Sequence, residues 1–144
     1  MSTAPAPTMP TDPSVDPHLY RIEGARVVIL GSRSDQTGSH FWPRRLGCPE
    51  TGGTVSDAEL PDTGTVWSWT YVHAPWAGIA APSTTRGYAA GLVDLDGDGP
   101  RVIGVLMGEQ GDWEVGARVR AVPLPFRGAG DDVQSMLAFE RATA

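Results

Sequence analysis

The sequence predicts an all-β chain of 144 residues, a barrel or small sandwich of four or five strands. Three observations carry that expectation. Several segments alternate apolar and polar side chains with a period of two, the pattern of a strand with one face buried. The 18 Gly and 13 Pro punctuate those segments, where the chain must turn. No segment carries a strong apolar stripe at helical spacing.

The elements follow in order. Residues 1–17 read as a disordered tail, because Pro5, Pro7, Pro10, Pro13 and Pro17 stand among small polar residues with little to bury. Arg26 to Leu30 is a short β-branched run with strand character. Gly31 to Thr65, with six Gly and three Pro, reads as turns and short hairpins in a compact loop module. From Val66 to His73 the chain alternates, with Trp67, Trp69, Tyr71 and His73 on one face and Val66, Ser68, Thr70 and Val72 on the other; Pro75 ends the run. Tyr88–Leu95 and Arg101–Met107 are the next strands, joined by the turn Asp96-Gly97-Asp98-Gly99-Pro100. Arg118–Leu124 is another. Val133–Arg141 fits a helix or a strand, and the alternation of Leu137, Phe139 and Arg141 favours a final short strand.

Charge and composition exclude several functions. With 11 basic residues, all Arg, against 17 acidic ones, the net charge of -6 disfavours non-specific nucleic-acid binding. One Cys has no partner for an intrachain disulfide and cannot make an all-thiolate metal site. The first twenty residues lack a signal peptide's basic and apolar regions, and no apolar run approaches the ~20 residues that span a bilayer. The chain therefore reads as cytoplasmic, with no membrane partner.

Asp94, Asp96, Asp98 and Gly99 match the opening half of a calcium loop. The bidentate carboxylate is missing, since its place holds Val105, and Pro100 follows the Gly. A tight acidic hairpin turn is the better reading. A second pattern is more informative. Ser34-Asp35-Gln36-Thr37-Gly38 and Cys48-Pro49-Glu50-Thr51-Gly52 are two short turns ending in Gly, separated by Phe41-Trp42-Pro43-Arg44-Arg45. This is the layout of two metal-binding knuckles with hydroxyls at Ser34, Thr37 and Thr51 and a thiol only at Cys48. Hydroxyls are poor zinc ligands but good local hydrogen-bonding groups, so the turns are expected to hold together without an ion.

In these motifs the chain resembles the DUF35 family, bacterial proteins that join a short zinc ribbon to an OB-fold and accompany acyl-CoA enzymes. The family pattern Arg-Cys-x-x-Cys-Gly, Phe-x-Pro-Arg, Cys-Pro-x-Cys-Gly is met by Arg33–Gly38, Phe41–Arg44 and Cys48–Gly52. Its Gly-x-Val-x-Ser-x-Thr-x-Val-His is met by Gly64–His73, its acidic turn by Val93–Asp96, and its late Ile-Gly-x-x-Val by Val115–Val119. The resemblance runs from about Gly31 to Arg141 and departs from the family at three of the four metal positions.

The resemblance implies an OB-fold five-stranded barrel over residues 64–144, preceded at 18–63 by a short rubredoxin-like, zinc-ribbon-type module that lacks most metal ligands. It implies an accessory subunit of a thiolase-like enzyme (a thiolase, aldolase or acyltransferase) acting on acyl-CoA thioesters in carbon–carbon bond cleavage or formation. No cofactor is expected on this chain; acyl-CoA is the substrate of the complex, and the thiolase-like catalytic subunit is the partner. Alternatives are a free-standing acyl-CoA or small-ligand binding module and a single-stranded nucleic-acid-binding OB protein. No nucleophile with a base and no paired carboxylates stand out, so no catalytic residue is expected here. Trp42, Arg44, Arg45, His73 and Trp76 are the candidate interface or ligand contacts, because aromatic and Arg residues dominate interface energetics and Arg pairs with carboxylates or phosphates.

Overall fold

The computed structural model describes residues 14–73, 87–127 and 133–142. Residues 1–13, most of the expected tail, lie outside that range, as do Pro75 and Trp76. Nine strands are described. β1 (Tyr20–Glu23), β2 (Arg26–Ser34), β3 (His40–Phe41) and β4 (Val55–Leu60) form one sheet. β5 (Thr63–Val72), β6 (Tyr88–Leu95), β7 (Arg101–Leu106), β8 (Arg118–Arg127) and β9 (Val133–Arg141) form the other.

The second sheet closes on itself in the order β5-β6-β7-β9-β8, with β8 returning to β5. β7 and β9 pair in parallel and every other neighbour is antiparallel. This is a five-stranded OB-type barrel. Its interior follows from alternation along each strand. β6 buries Ala89, Val93 and Leu95, β7 buries Val102 and Leu106, and β9 places Phe139 at the centre with no exposed surface. A single 3-10 turn, Gln110–Asp112, precedes Trp113, whose ring is buried in the same core. The expected acidic hairpin turn is present. Gly97 and Asp98 both take positive φ, 64° and 61°, as the two central residues of a two-residue hairpin turn require, and the Gly99 amide donates to the Asp96 carbonyl.

The face assignment for Val66–His73 needs correction. The pairing of β5 with β6 shifts register between Val66 and Ser68, a bulge that places Trp67 outside the ladder. A one-residue insertion swaps the faces beyond it. Val66 therefore shares the core with Trp69 and Tyr71, while Trp67 stays 49% exposed.

The region expected to be loops holds more strand than the sequence suggested. β2 continues past Leu30 to Ser34 and serves as the centre of its sheet, with β4 on one side and β1 and β3 on the other. β4 pairs with β2 over six residues and, among the described residues, with nothing else; its free edge carries Asp57 and Glu59. Tyr20, Ile22, Val27, Ile29 and Leu60 from this sheet join the barrel residues in one apolar cluster. The two sheets thus share a core. Ser14, inside the expected tail, bridges Ser135 of β9, and the Val15 amide donates to the Ser135 carbonyl.

Candidate functional site

The two knuckle-like turns are built alike. The Gly38 amide donates to the Ser34 carbonyl at 3.0 Å, and the Gly52 amide to the Cys48 carbonyl at 2.8 Å. Each turn ends on a residue with positive φ, 78° at Gly38 and 74° at Gly52, which explains the Gly at both places. Ser34 is fully buried. Its Oγ accepts the amides of Gln36 and Thr37 at 3.3 and 3.1 Å, where a knuckle thiolate would stand.

The structure brings Ser34, Cys48 and Thr51 together. The hydroxyls of Ser34 and, more weakly, Thr51 hydrogen-bond the buried Cys48 sulfur; they outweigh burial and hold its thiol at about 7, below the ordinary 9.0. Ser34 thus uses both its acceptor capacity and its one donor. Thr37 turns the other way, accepting the Ser39 amide and donating to Glu50 Oε1 at 3.4 Å. Asp35 is held by the hydroxyls of Ser56 at 2.6 Å and Thr54 at 2.8 Å, which keep its carboxyl below the usual range. Hydroxyl and carboxylate contacts therefore join the two turns. Among the described residues no group of three or more His, Cys, Asp or Glu is placed to hold a metal ion. At the acidic turn, Arg118 engages both Asp96 oxygens at 2.7 Å and Thr63 donates to the same carboxylate; these hold its carboxyl down to about 2. Asp94 is taken by Arg101.

The remaining candidates lie apart from this cluster. Trp42 is half-buried after β3, joined to Pro43 by a cis peptide, and its indole N–H donates to the Leu19 carbonyl at 3.2 Å. It walls an apolar cavity of about 400 Å³ between the two sheets, with Leu19 and Tyr20 on one side and Ala90, Ile103 and Met136 on the barrel side. Arg44 and Arg45 follow on an exposed loop. Arg44 lies 3.7 Å from Asp57, and the Arg45 amide donates to the buried Ser32 Oγ at 2.8 Å, fixing the loop's base. His73 is exposed at the end of β5, edge-on to Tyr71 with ring centres 4.9 Å apart.

Three further residues were not singled out from sequence. Leu46, beside Arg45, is wholly exposed. Trp67 carries the Arg101 guanidinium 3.5 Å above its ring, and Ile103 is exposed on the adjoining face of β7. The bulge that turns Trp67 outward has no signature in the alternating sequence, and nothing in the pattern around Leu46 separates it from a core residue.

Residues 57–123 match the family described as ChsH2, C-terminal OB-fold domain. A solved structure described as "Ltp2-ChsH2(DUF35) aldolase" is similar, with a TM-score of 0.62 and 24% identity over 81% of this chain and 86% of that one. A DUF35-family protein of unknown function from Sulfolobus solfataricus is also similar, with a TM-score of 0.52 and 15% identity over 80% of this chain and 76% of that one. No curated protein matches the chain. No helix of the described residues is long and apolar enough to cross a membrane.

Proposed function

From the match of residues 57–123 to the ChsH2 C-terminal OB-fold family, we propose that this chain is a DUF35-type, non-catalytic or co-catalytic accessory subunit of a thiolase-like enzyme. The complex acts on acyl-CoA thioesters and makes or breaks a carbon–carbon bond, with retro-aldol cleavage the favoured chemistry. The family match over residues 57–123 carries this reading. Support comes from the likeness to the Ltp2-ChsH2(DUF35) aldolase, in whose name a DUF35 protein and an aldolase stand together. The chemistry of the chain agrees. Its one thiol is buried and committed to the hydrogen bonds that hold the two turns, and in this reading the reacting nucleophile belongs to the partner.

The contact surface in this reading includes Trp42, Arg44, Arg45, His73 and Trp76. The exposed tip Arg44-Arg45-Leu46 offers an apolar anchor flanked by two guanidinium groups, a composition suited to a protein interface. Single-stranded nucleic acid is the weaker alternative. The aromatic platform at Trp67 has its Arg101 already paired with Asp94, so a phosphate would have to compete with a built-in carboxylate.

The test is co-expression of the tagged chain with the thiolase-like protein encoded nearest to it. The two are expected to co-elute, with acyl-CoA cleavage dependent on both. Arg45→Glu with Leu46→Ser should weaken the complex by roughly tenfold or more while leaving the isolated chain's melting unchanged. Separate elution, or full activity of the partner alone, would reject the assignment.

A further inference from the structure

The cavity between the two sheets has a chemistry of its own. Its volume of about 400 Å³ falls within the usual size of small-molecule sites, and such sites favour the junction of two structural units. One wall is Tyr20 of β1 with Val15, Leu19 and Trp42 from the segments next to β1 and β3, and the other comes from β6, β7 and β9. The polar atoms of the two aromatic rings on the first side are tied off. The Trp42 indole N–H goes to the Leu19 carbonyl and the Tyr20 hydroxyl to the Ser135 carbonyl. Both rings therefore offer carbon to an occupant. Val15 and Ile103, two exposed large apolar residues, border the same space at 41% and 58% exposure. A guest would cover both. The one ionisable carboxylate in the lining is Asp16, whose Oδ1 accepts the His18 amide at 3.1 Å; it sets a negative charge beside the apolar walls.

From this we infer that the cavity is a binding site for an uncharged hydrocarbon ligand, a chain or pair of rings without an anionic head. Burial of the guest and of Val15 and Ile103 supplies the attraction. The Asp16 carboxylate repels a carboxylate guest and tolerates a neutral one. The cavity shares Trp42 with the proposed contact surface, but its test uses the isolated chain and so stands or falls separately from that assignment.

The experiment uses the full chain and the neutral fluorescent probe N-phenyl-1-naphthylamine. Saturable fluorescence enhancement is expected. Ala90→Phe, which fills the space from the barrel side, should weaken binding by at least about tenfold with melting retained. If that variant does not fold, Met136→Phe narrows the same wall and should act likewise. In competition, 1-dodecanol should displace the probe at a concentration roughly tenfold below that of dodecanoate at pH 7, and Asp16→Asn should close most of that gap. The inference fails if there is no saturable enhancement, if a folded cavity-filling variant binds normally, or if alcohol and carboxylate compete equally. It also fails if the chain sediments as a dimer that excludes the probe, because a second copy then occupies the face.

Discussion

Replacement of Ser34 by Ala should unpick the turn cluster from its centre. Ser34 is fully buried, and its Oγ receives the amides of Gln36 and Thr37 at 3.3 and 3.1 Å while its hydroxyl supports Cys48. Ala leaves both amides without an acceptor inside a tight turn. An orphaned donor costs about 1–3 kcal/mol, and these amides are only partly buried, so the lower end applies to each. The expected loss is about 2 kcal/mol. For a chain of this size that lowers the melting temperature by roughly 4–8 °C. Ser34→Cys keeps an acceptor atom and should recover much of the loss. The thiol provides a second readout. Cys48 should titrate near 7 in the parent, followed by thiolate absorbance, and closer to its ordinary 9.0 in Ser34→Ala. An unchanged unfolding midpoint together with an unchanged Cys48 titration would refute this account of the turns.

Two further outcomes are expected. The triple change Ser34→Cys, Thr37→Cys and Thr51→Cys, added to Cys48, should convert the chain from one without stoichiometric zinc to one binding about one zinc ion, since tetrahedral thiolates are the usual structural site; elemental analysis decides it. Asp96→Asn should remove a small part of the acid-unfolding limb. The folded-state carboxyl is held below its ordinary 3.8, to about 2, by Arg118 and then Thr63, so its contribution is present above the ordinary value and fades as pH falls toward 2. The pair is partly exposed, which limits the effect to under about 1 kcal/mol; denaturation curves should separate parent from variant at pH 5 and show a smaller gap at pH 2.5.

The barrel was largely legible because its strands obey a two-residue period against a single core. β6 runs from Tyr88 to Leu95 as the pattern indicates, with every second residue inside. β9 was ambiguous for a physical reason: Leu137 and Phe139 enter the main core, while Ala138 between them is buried in a small cluster with Val105 and Leu124. Burial on both faces erases alternation. β4 was invisible because Val-Ser-Asp-Ala-Glu-Leu has weak strand propensity; six residues of pairing with β2 supply what its side chains do not. The knuckle layout was readable from spacing and glycines, and Ser34, Cys48 and Thr51 do meet. The cavity was not, since it forms only where residues far apart in sequence, Val15 to Tyr20, Trp42 and the barrel strands, come together.

The unpaired edge of β4 has a bearing on how the chain behaves among its own copies. A closed barrel offers no strand edge to a neighbour, so among the described residues the open edges lie on β1, β3 and β4 of the first sheet, and β4, with six residues, is the longest of them. Two of the six are acidic, and each lies beside an Arg of its own chain, Glu59 at 2.6 Å from Arg21 and Asp57 at 3.7 Å from Arg44, so a second β4 laid alongside would meet a row of charged, solvated side chains. Charged side chains of both signs thereby guard the longest open edge against pairing with a second copy.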